Sequence, residues 1–366
     1  MKLTKLQLTN FKNYESLHAE FSEQVTCFAG QNGEGKTNLL DAIFYLCIGK
    51  SYFHSVEKFN RLHQTDFLRI EGNFQSEKKE HQVTIVSKQG APKRIEQNGL
   101  LLSRVSEHLG FMPVCFIAPD DSVILLGGSE TRRRFVDTAL SQMNQNYLYE
   151  LIEYNKILQQ RNALLKADYT DERLLQTYND QLNPLGKTIY GVREAYVQEL
   201  SPLAQAIYEF ISEEKEAITL NYKSQLQNGE FHSLLSAATE KDKYLKRTTV
   251  GIHRDDIQLL IDGHELKKVG SQGQQKTALL AIKLAEYELL AKFTKRKAIL
   301  LLDDIFDKLD RGRVKKLFSY LGKHAESQLF ITDTNGDRLE TLLSEFGRKF
   351  EIFIVNNNQL KQRENK

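Results

Sequence analysis

The chain has 366 residues, enough for one large domain or two ordinary ones. Its charges nearly cancel, to a net +2, and its apolar fraction is ordinary, which excludes a disordered chain and a binder that relies on bulk positive charge. Cys27, Cys47 and Cys115 lie in apolar runs without a Cys-x-x-Cys spacing, so they read as reduced thiols and not as disulfide partners or zinc ligands. The N-terminal stretch lacks the apolar core of a signal peptide and no run reaches transmembrane length; a cytoplasmic protein without membrane contact is expected.

Leu3, Leu6, Leu8 and Phe11 begin the chain with a strand-like pattern. After the apolar run Val25 to Ala29 comes Gly30-Gln-Asn-Gly-Glu-Gly-Lys-Thr37, which fits the phosphate-cradling G-x-x-x-x-G-K-[ST] loop. Leu39, Leu40, Ile43, Phe44 and Cys47 then read as an amphipathic helix, so the motif has the strand–loop–helix setting it needs. Glycines let backbone N–H groups turn inward, and the helix N-terminus adds partial positive charge. Lys36 is expected to reach the β- and γ-phosphates and the Thr37 hydroxyl to ligate Mg²⁺, with Gly30, Asn32, Gly33, Gly35 and Asn38 completing the cradle.

From Phe67 to Leu102 short alternating segments end in Asn98-Gly99, a hairpin signal because both residues of a type I′ turn need positive φ. An antiparallel β layer is expected there. The middle third predicts two long helices, from about Glu130 to Lys166 and from about Asp171 to Glu214. The second carries a heptad-like seam through Leu175, Tyr178, Leu182, Leu185, Ile189, Val192, Tyr196, Leu200, Leu203, Ile207 and Phe210. Pro184 and Pro202 should kink or split it. The first offers Leu148, Leu151, Leu158 and Leu165, with Asn155 and Asn162 placed in the same seam. The reading is an α/β domain in two halves, 1–128 and 216–366, interrupted by an α-helical hairpin arm at 129–215.

Downstream, Ile257, Leu259 and Ile261 lead into a second hairpin turn at Asp262-Gly263. Gly270-Ser-Gln-Gly-Gln-Gln-Lys276 opens a helix and offers Ser271 and Gly273 as a second anion site. The buried-strand run Ala298 to Leu302 ends in Asp303 and Asp304. Beside a phosphate loop, Asp303 suits a Mg²⁺ ligand and Asp304 a base that polarises the attacking water.

The phosphate loop, the Ser-x-Gly-Gln stretch, the Asp-Asp strand end and the acidic loop to Asp310, in that order, resemble the ABC-type ATPase heads. The SMC-like DNA-repair branch is nearer, and the RecF family of bacterial recombination mediators nearer still. That last resemblance rests on Leu8 to Tyr14, Gly33 to Asn38, Gly49 to Tyr52, Ser129 to Asp137, Gly251 to Asp256, Ser271 to Lys276 and Leu300 to Asp310. It implies an ABC-type head whose P-loop α/β core and antiparallel β layer bind ATP with Mg²⁺. It further implies an ATP-dependent homodimer in which Ser271, Gly273 and Gln274 meet nucleotide held by the other copy and Asp310 crosses the same interface. A weak, DNA-stimulated ATPase would follow, binding double-stranded DNA beside single-strand junctions and working with RecO and RecR to load recombinase, in the cytoplasm near the nucleoid. By the same resemblance Lys12 contacts nucleotide phosphate. Thr332 or Asp333 stands where transporter ATPases carry a switch histidine, which points to slow turnover, and Pro119-Asp-Asp121 occupies the Q-loop region without a glutamine. The alternative, an ATPase subunit of a membrane transporter, is disfavoured by that missing histidine and by the length of the arm. Candidate DNA contacts are Arg132, Arg133 and Arg134, then Lys292, Lys295, Arg296 and Lys297. Three adjacent arginines cannot share one helix face, so at least one is expected to pair with an acid such as Glu130 or Asp137.

Overall fold

β1 (Lys2–Phe11), β2 (Tyr14–Glu20) and β3 (Val25–Ala29) lead into α1 (Lys36–Ile48). The computed structural model describes residues 1–76, 79–306, 310–322, 327–346 and 348–363. β4 (Phe67–Gln75), β5 (Glu80–Lys88), β6 (Arg94–Gln97) and β7 (Leu100–Leu101) join the first two strands in an antiparallel sheet of order β2-β1-β4-β5-β6-β7. Asn98 and Gly99 have φ of 52° and 78°, the geometry that the Asn-Gly turn predicts. β8 (Val114–Ile117) follows.

Next come α2 (Ser122–Leu126), α3 (Ser129–Met143), α4 (Gln145–Lys166) and α5 (Glu172–Ser212). β9 (Ile218–Lys223), α6 (Phe231–Ala237), α7 (Thr239–Leu245), β10 (Asp256–Ile261) and β11 (His264–Glu265) precede α8 (Leu266–Val269) and α9 (Gln272–Thr294). β12 (Ile299–Leu302), α10 (Arg311–Gly322), β13 (Leu329–Asp333), α11 (Gly336–Phe346), β14 (Phe350–Asn356) and β15 (Gln359–Gln362) complete the described chain. Sheet order β15-β14-β3-β13-β12-β8 is parallel except at β15, and β3, β13 and β12 are buried along their whole length, as covering of both faces requires.

α1 departs from expectation. Its spacing suggested one apolar face, yet every residue from Leu39 to Ile48 is buried. Residues of both six-stranded sheets share one core cluster with it, Leu6, Ile70 and Ile85 from the antiparallel sheet, Phe28, Phe116 and Phe330 from the other. Each large apolar side chain so enclosed stabilises the fold by roughly 1.5–3 kcal/mol.

The chain divides into two compact units, residues 1–121, 210–212 and 286–366 in one, 122–209 and 213–285 in the other. The expected boundary at 216 is therefore corrected: β9, β10 and the Ser271 stretch belong with the helical arm. The reason is packing, since β10 lies against α3. Three further details differ. The first long helix is broken at Asn144, whose side chain caps α4 by accepting the Tyr147 N–H at 3.1 Å. α5 runs unbroken through both prolines over 41 residues. Asn155 is exposed, and Arg161 is the polar residue buried along α4.

Arg161 and Arg193 are the largest polar side chains buried in this second unit among the described residues. A buried guanidinium is costly unless most of its donors are paired, and in Arg161 it is Nη2 that lacks a partner. Arg161 donates to Asn179 Oδ1, Asp242 Oδ2 and Thr248 Oγ1, each at 2.8 Å. Arg193 forks onto Asp137 at 2.9 Å through both Nε and Nη2, and its Nη1 reaches the Ile252 carbonyl at 2.8 Å and Asp255 Oδ2 at 3.2 Å. These two clusters tie the arm helices to the loops that precede and contain the His-Arg-Asp-Asp stretch. Asp242→Ala, which strands the Arg161 charge, is expected to destabilise the second unit by about 3–5 kcal/mol in denaturant titration; a loss under about 1 kcal/mol would show that Arg161 finds water instead.

Candidate nucleotide site and family membership

The parallel strands β3, β13, β12 and β8 run in one direction, so the loops after them emerge at one edge. Ligands of open α/β sheets bind at that carboxyl edge. Gly30 to Gly35 follow β3, Asp303 and Asp304 follow β12, Asp333 ends β13 and Pro119 to Asp121 lie just beyond β8.

The loop after β3 is built from its glycines. Gly33 and Gly35 have φ of 89° and 98°, and Gly35 is the left-handed N-cap of α1. A Cβ on Gly35 would lie 2.4 Å from Asn13 Nδ2, and one on Gly30 would lie 2.4 Å from the Val355 carbonyl oxygen. Asn32 and Gly33 are exposed, whereas Asn38 is turned to Asn13, donating to its Oδ1 at 2.7 Å. Lys36 folds back over the loop, its Nζ donating to the carbonyls of Gly30 at 2.6 Å and Gln31 at 2.9 Å. Burial lowers its pKa, opposed by the charges of Asp304 and Asp303.

Thr37 Oγ1 lies 3.0 Å from both carboxylate oxygens of Asp303. Burial pushes the Asp303 carboxyl above its usual range, while the hydroxyls of Thr332 and Thr37 hold it down. Thr37, in the first turn of α1, thus meets the acid that follows β12, two strands away from β3 in the sheet.

The profile of the RecF/RecN/SMC N terminal domain matches residues 2–358. A DNA replication and repair protein RecF from Flavobacterium johnsoniae is 41% identical over 357 residues, covering 96% of this chain and 99% of that one. Its counterpart from Bacteroides thetaiotaomicron is 38% identical, covering 97% of each. The chain belongs to the RecF family.

A solved structure of the recombination mediator protein RecF with ATP superposes with a TM-score of 0.90 at 29% identity, covering 99% of this chain and 98% of that one. An SMC head bound to the C-winged helix domain of ScpA shares the fold, with a TM-score of 0.58 at 15% identity, covering 99% and 97%. The ABC-type head architecture of the RecF family is therefore that of this chain.

The remaining expected site residues have the following surroundings. The Lys12 side chain is buried and ion-paired with Asp41 of α1 at 2.6 Å, with Phe53 beneath its ammonium. Asp41 also accepts the Ser51 hydroxyl and the Tyr52 N–H, each at 2.7 Å, which gives the Gly49 to Tyr52 stretch a structural role. Ser271 is exposed and forms a capping box with Gln274: the Gln274 N–H donates to Ser271 Oγ at 3.2 Å, and Gln274 Oε1 accepts the Ser271 N–H at 2.6 Å. Gln274 Nε2 is meanwhile held by Glu216 at 2.6 Å. Asp310 is exposed and caps α10, accepting the Arg313 N–H at 3.0 Å. Residues 307–309 of the acidic loop lie outside the described residues. Asp121 is buried and accepts both the Ala118 N–H and the Tyr52 hydroxyl.

The arginine run faces three ways, as its spacing required. Arg132 is turned inward and forked onto Asp256, at 2.7 and 3.1 Å, so it is withdrawn from the candidate DNA contacts. Arg133 is drawn to the Asp255 carbonyl at 2.6 Å, and Arg134 is exposed beside Glu130. Lys292, Lys295, Arg296 and Lys297 are exposed, although Arg296 is engaged by the carbonyls of Gly110 and Phe111. Nothing in the sequence gave Asn13 or Asp41 a role at the site; Asn13 sits in the turn between β1 and β2 and Asp41 inside α1, and their partners come from distant segments. Lys12→Met should lower stability by about 3–5 kcal/mol, because Asp41 is left buried without its counter-charge. Nucleotide affinity of the folded protein, measured by calorimetry, should change less than about twofold; a larger loss would return Lys12 to the phosphate site.

Proposed function

We propose that this chain is an ATP-dependent recombination mediator that dimerises on ATP, binds duplex DNA beside single-strand gaps and helps to load recombinase, with slow ATP hydrolysis. The observation that carries the reading is the meeting of Lys36, Thr37 and Asp303 in a member of the RecF family. A hydroxyl and a carboxylate 3.0 Å apart are hard oxygen donors suited to Mg²⁺, which takes its remaining ligands from phosphates and water. Thr37 and Asp303 would hold the ion, which when bound neutralises charge on the transferring phosphoryl group.

Lys36 exchanges the carbonyls of Gly30 and Gln31 for phosphate oxygens, and the N–H groups of Gly33 to Thr37 complete the cradle. Asp304 accepts a proton from the attacking water. Ser271 and Gly273 of a second copy, at the exposed start of α9, supply hydroxyl and N–H donors to the γ-phosphate, and Asp310 lies on the same interface. This arrangement accounts for two phosphate cradles in one chain. Arg134 in one unit, and Lys292, Lys295 and Lys297 in the other, are the exposed charges that meet DNA phosphates; such contacts are largely independent of sequence. The family relation supports RecO and RecR as partners and the cytoplasm, near the nucleoid, as the place of work. Among the described residues no helix is long and apolar enough to cross a membrane.

Sizing the protein with and without ATP tests the switch: a dimer is expected with ATP only. Lys36→Ala should lose nucleotide binding and dimer together, whereas Ser271→Arg should bind ATP as a monomer within about threefold of wild type yet fail to dimerise. Dimers of Lys36→Ala, or loss of monomer binding in Ser271→Arg, would contradict the shared site. DNA affinity should rise with ATP and fall steeply with salt, with a log–log slope of about −0.9 per phosphate neutralised. ATP-independent affinity would remove the switch from the reading.

A further inference from the structure

β13 lies between β3, which delivers the phosphate loop, and β12, which delivers Asp303. Thr332 is its penultimate residue, fully buried and paired with Phe28 of β3. On the other side Ile331 pairs with Leu302, so Thr332 is level with Asp303. Its hydroxyl bridges the two acids. Oγ1 donates to Asp303 Oδ1 at 2.7 Å and accepts the Asp304 backbone N–H at 2.9 Å.

Both bonds bear on groups that need holding. Asp303 also takes the Thr37 hydroxyl, 3.0 Å from both of its oxygens, so two hydroxyls restrain its carboxylate. Asp304 has φ of 45°, in the left-handed region that non-glycine residues rarely adopt. Its N–H, anchored on Thr332, keeps that peptide from relaxing.

A threonine hydroxyl carries a single hydrogen. In Thr332 that hydrogen is directed to Asp303, so it has none to give a phosphate. Asp333 is equally occupied. Its buried carboxylate accepts Arg338 Nη2 at 2.6 Å, Arg338 Nε at 3.1 Å and the Asn335 N–H at 2.6 Å, while its carbonyl receives the Gly30 N–H at 3.3 Å.

We propose that Thr332 is a positioning residue for the Asp303–Asp304 pair and does not contact the nucleotide. The position that holds a phosphate-sensing histidine in transporter ATPases is here wired into the metal-side acids. The proposal rests on the nucleotide-site reading above.

The test compares Thr332→Val, which removes the hydroxyl and keeps the shape, with Thr332→Ser, which keeps the hydroxyl. Thr332→Ala serves in its place if valine is not tolerated. ATP and ADP binding without metal should stay within about twofold of wild type in every variant. In Thr332→Val the Mg²⁺ concentration for half-maximal enhancement of ADP binding should rise, and kcat should fall, each by about 10–100-fold with little change in KM. Thr332→Ser should restore most of both. In an Asp303→Asn background Thr332→Val should add less than about twofold. Metal-free ATP binding that weakens while ADP binding does not would overturn the proposal by placing Thr332 on the γ-phosphate. So would an unchanged Mg²⁺ requirement, or a serine variant no better than valine. Failure of the wild-type protein to bind either nucleotide would overturn the site reading itself, and this proposal with it.

Discussion

α1 is a helix with no exposed face along its last three turns, and most of the head follows from covering it. Its residues from Leu39 onward cannot face water, so one sheet must lie on each side. The antiparallel sheet supplies Leu6, Ile70 and Ile85; the parallel sheet supplies Phe28, Phe116 and Phe330. With the helix clamped between them, its first turn is held at the carboxyl edge of the parallel strands. Thr37 then has no choice but to lie against the end of β12. The Thr37–Asp303 contact is thus a consequence of burial as much as of the two motifs that contribute to it.

The second unit solves a different problem. Long arm helices bring polar residues into their packed stripes, and here the stripe admits Asn179 and Arg193 on α5 and Arg161 on α4. Ionic groups placed so deep are weak evidence of stability, since desolvation offsets their attraction. Their geometry argues for alignment instead: Arg193 joins α3, through Asp137, to the loop that holds Ile252 and Asp255. Residues of two motifs that mark this family, the arginine run and the His-Arg-Asp-Asp stretch, are therefore largely consumed in holding the arm to the three-stranded sheet of order β11-β10-β9 in the same unit. Arg132 on Asp256 and Arg133 on the Asp255 carbonyl extend the same seam. Fewer of these charges are left exposed than the composition of the arm suggests.

Motif residues in the head show the same division between contact and support. Lys12 and the Gly49 to Tyr52 stretch converge on Asp41, inside α1. Asn13 supports the loop from outside through Asn38 and through its closeness to Gly35. Thr332 and Asp333 brace, respectively, the acids and the first glycine of the loop. A site that must hold a highly charged ligand without moving benefits from such backing, because misplacement by about 1 Å is costly in catalysis.

Local chemistry settled a good deal before folding. The Gly-x-x-x-x-Gly-Lys-Thr loop, the Asn98-Gly99 and Asp262-Gly263 turns, the strand ending in Asp303 and the apolar stripe of α5 were all legible, because each depends on the backbone preferences or spacing of neighbouring residues. Tertiary structure decided what spacing cannot carry. Asn155 faces water while Arg161 is inside, since the faces α4 buries depend on its partners and on the break at Asn144. Lys12 and Arg132 read as free cations in sequence and are buried ion pairs, because Asp41 and Asp256 come from distant segments. Thr332 or Asp333 reads in sequence as the stand-in for a switch histidine, with no partner legible for either side chain. Only the order of strands in the sheet, with β13 between the phosphate loop and the acids, sets the Thr332 hydroxyl against Asp303.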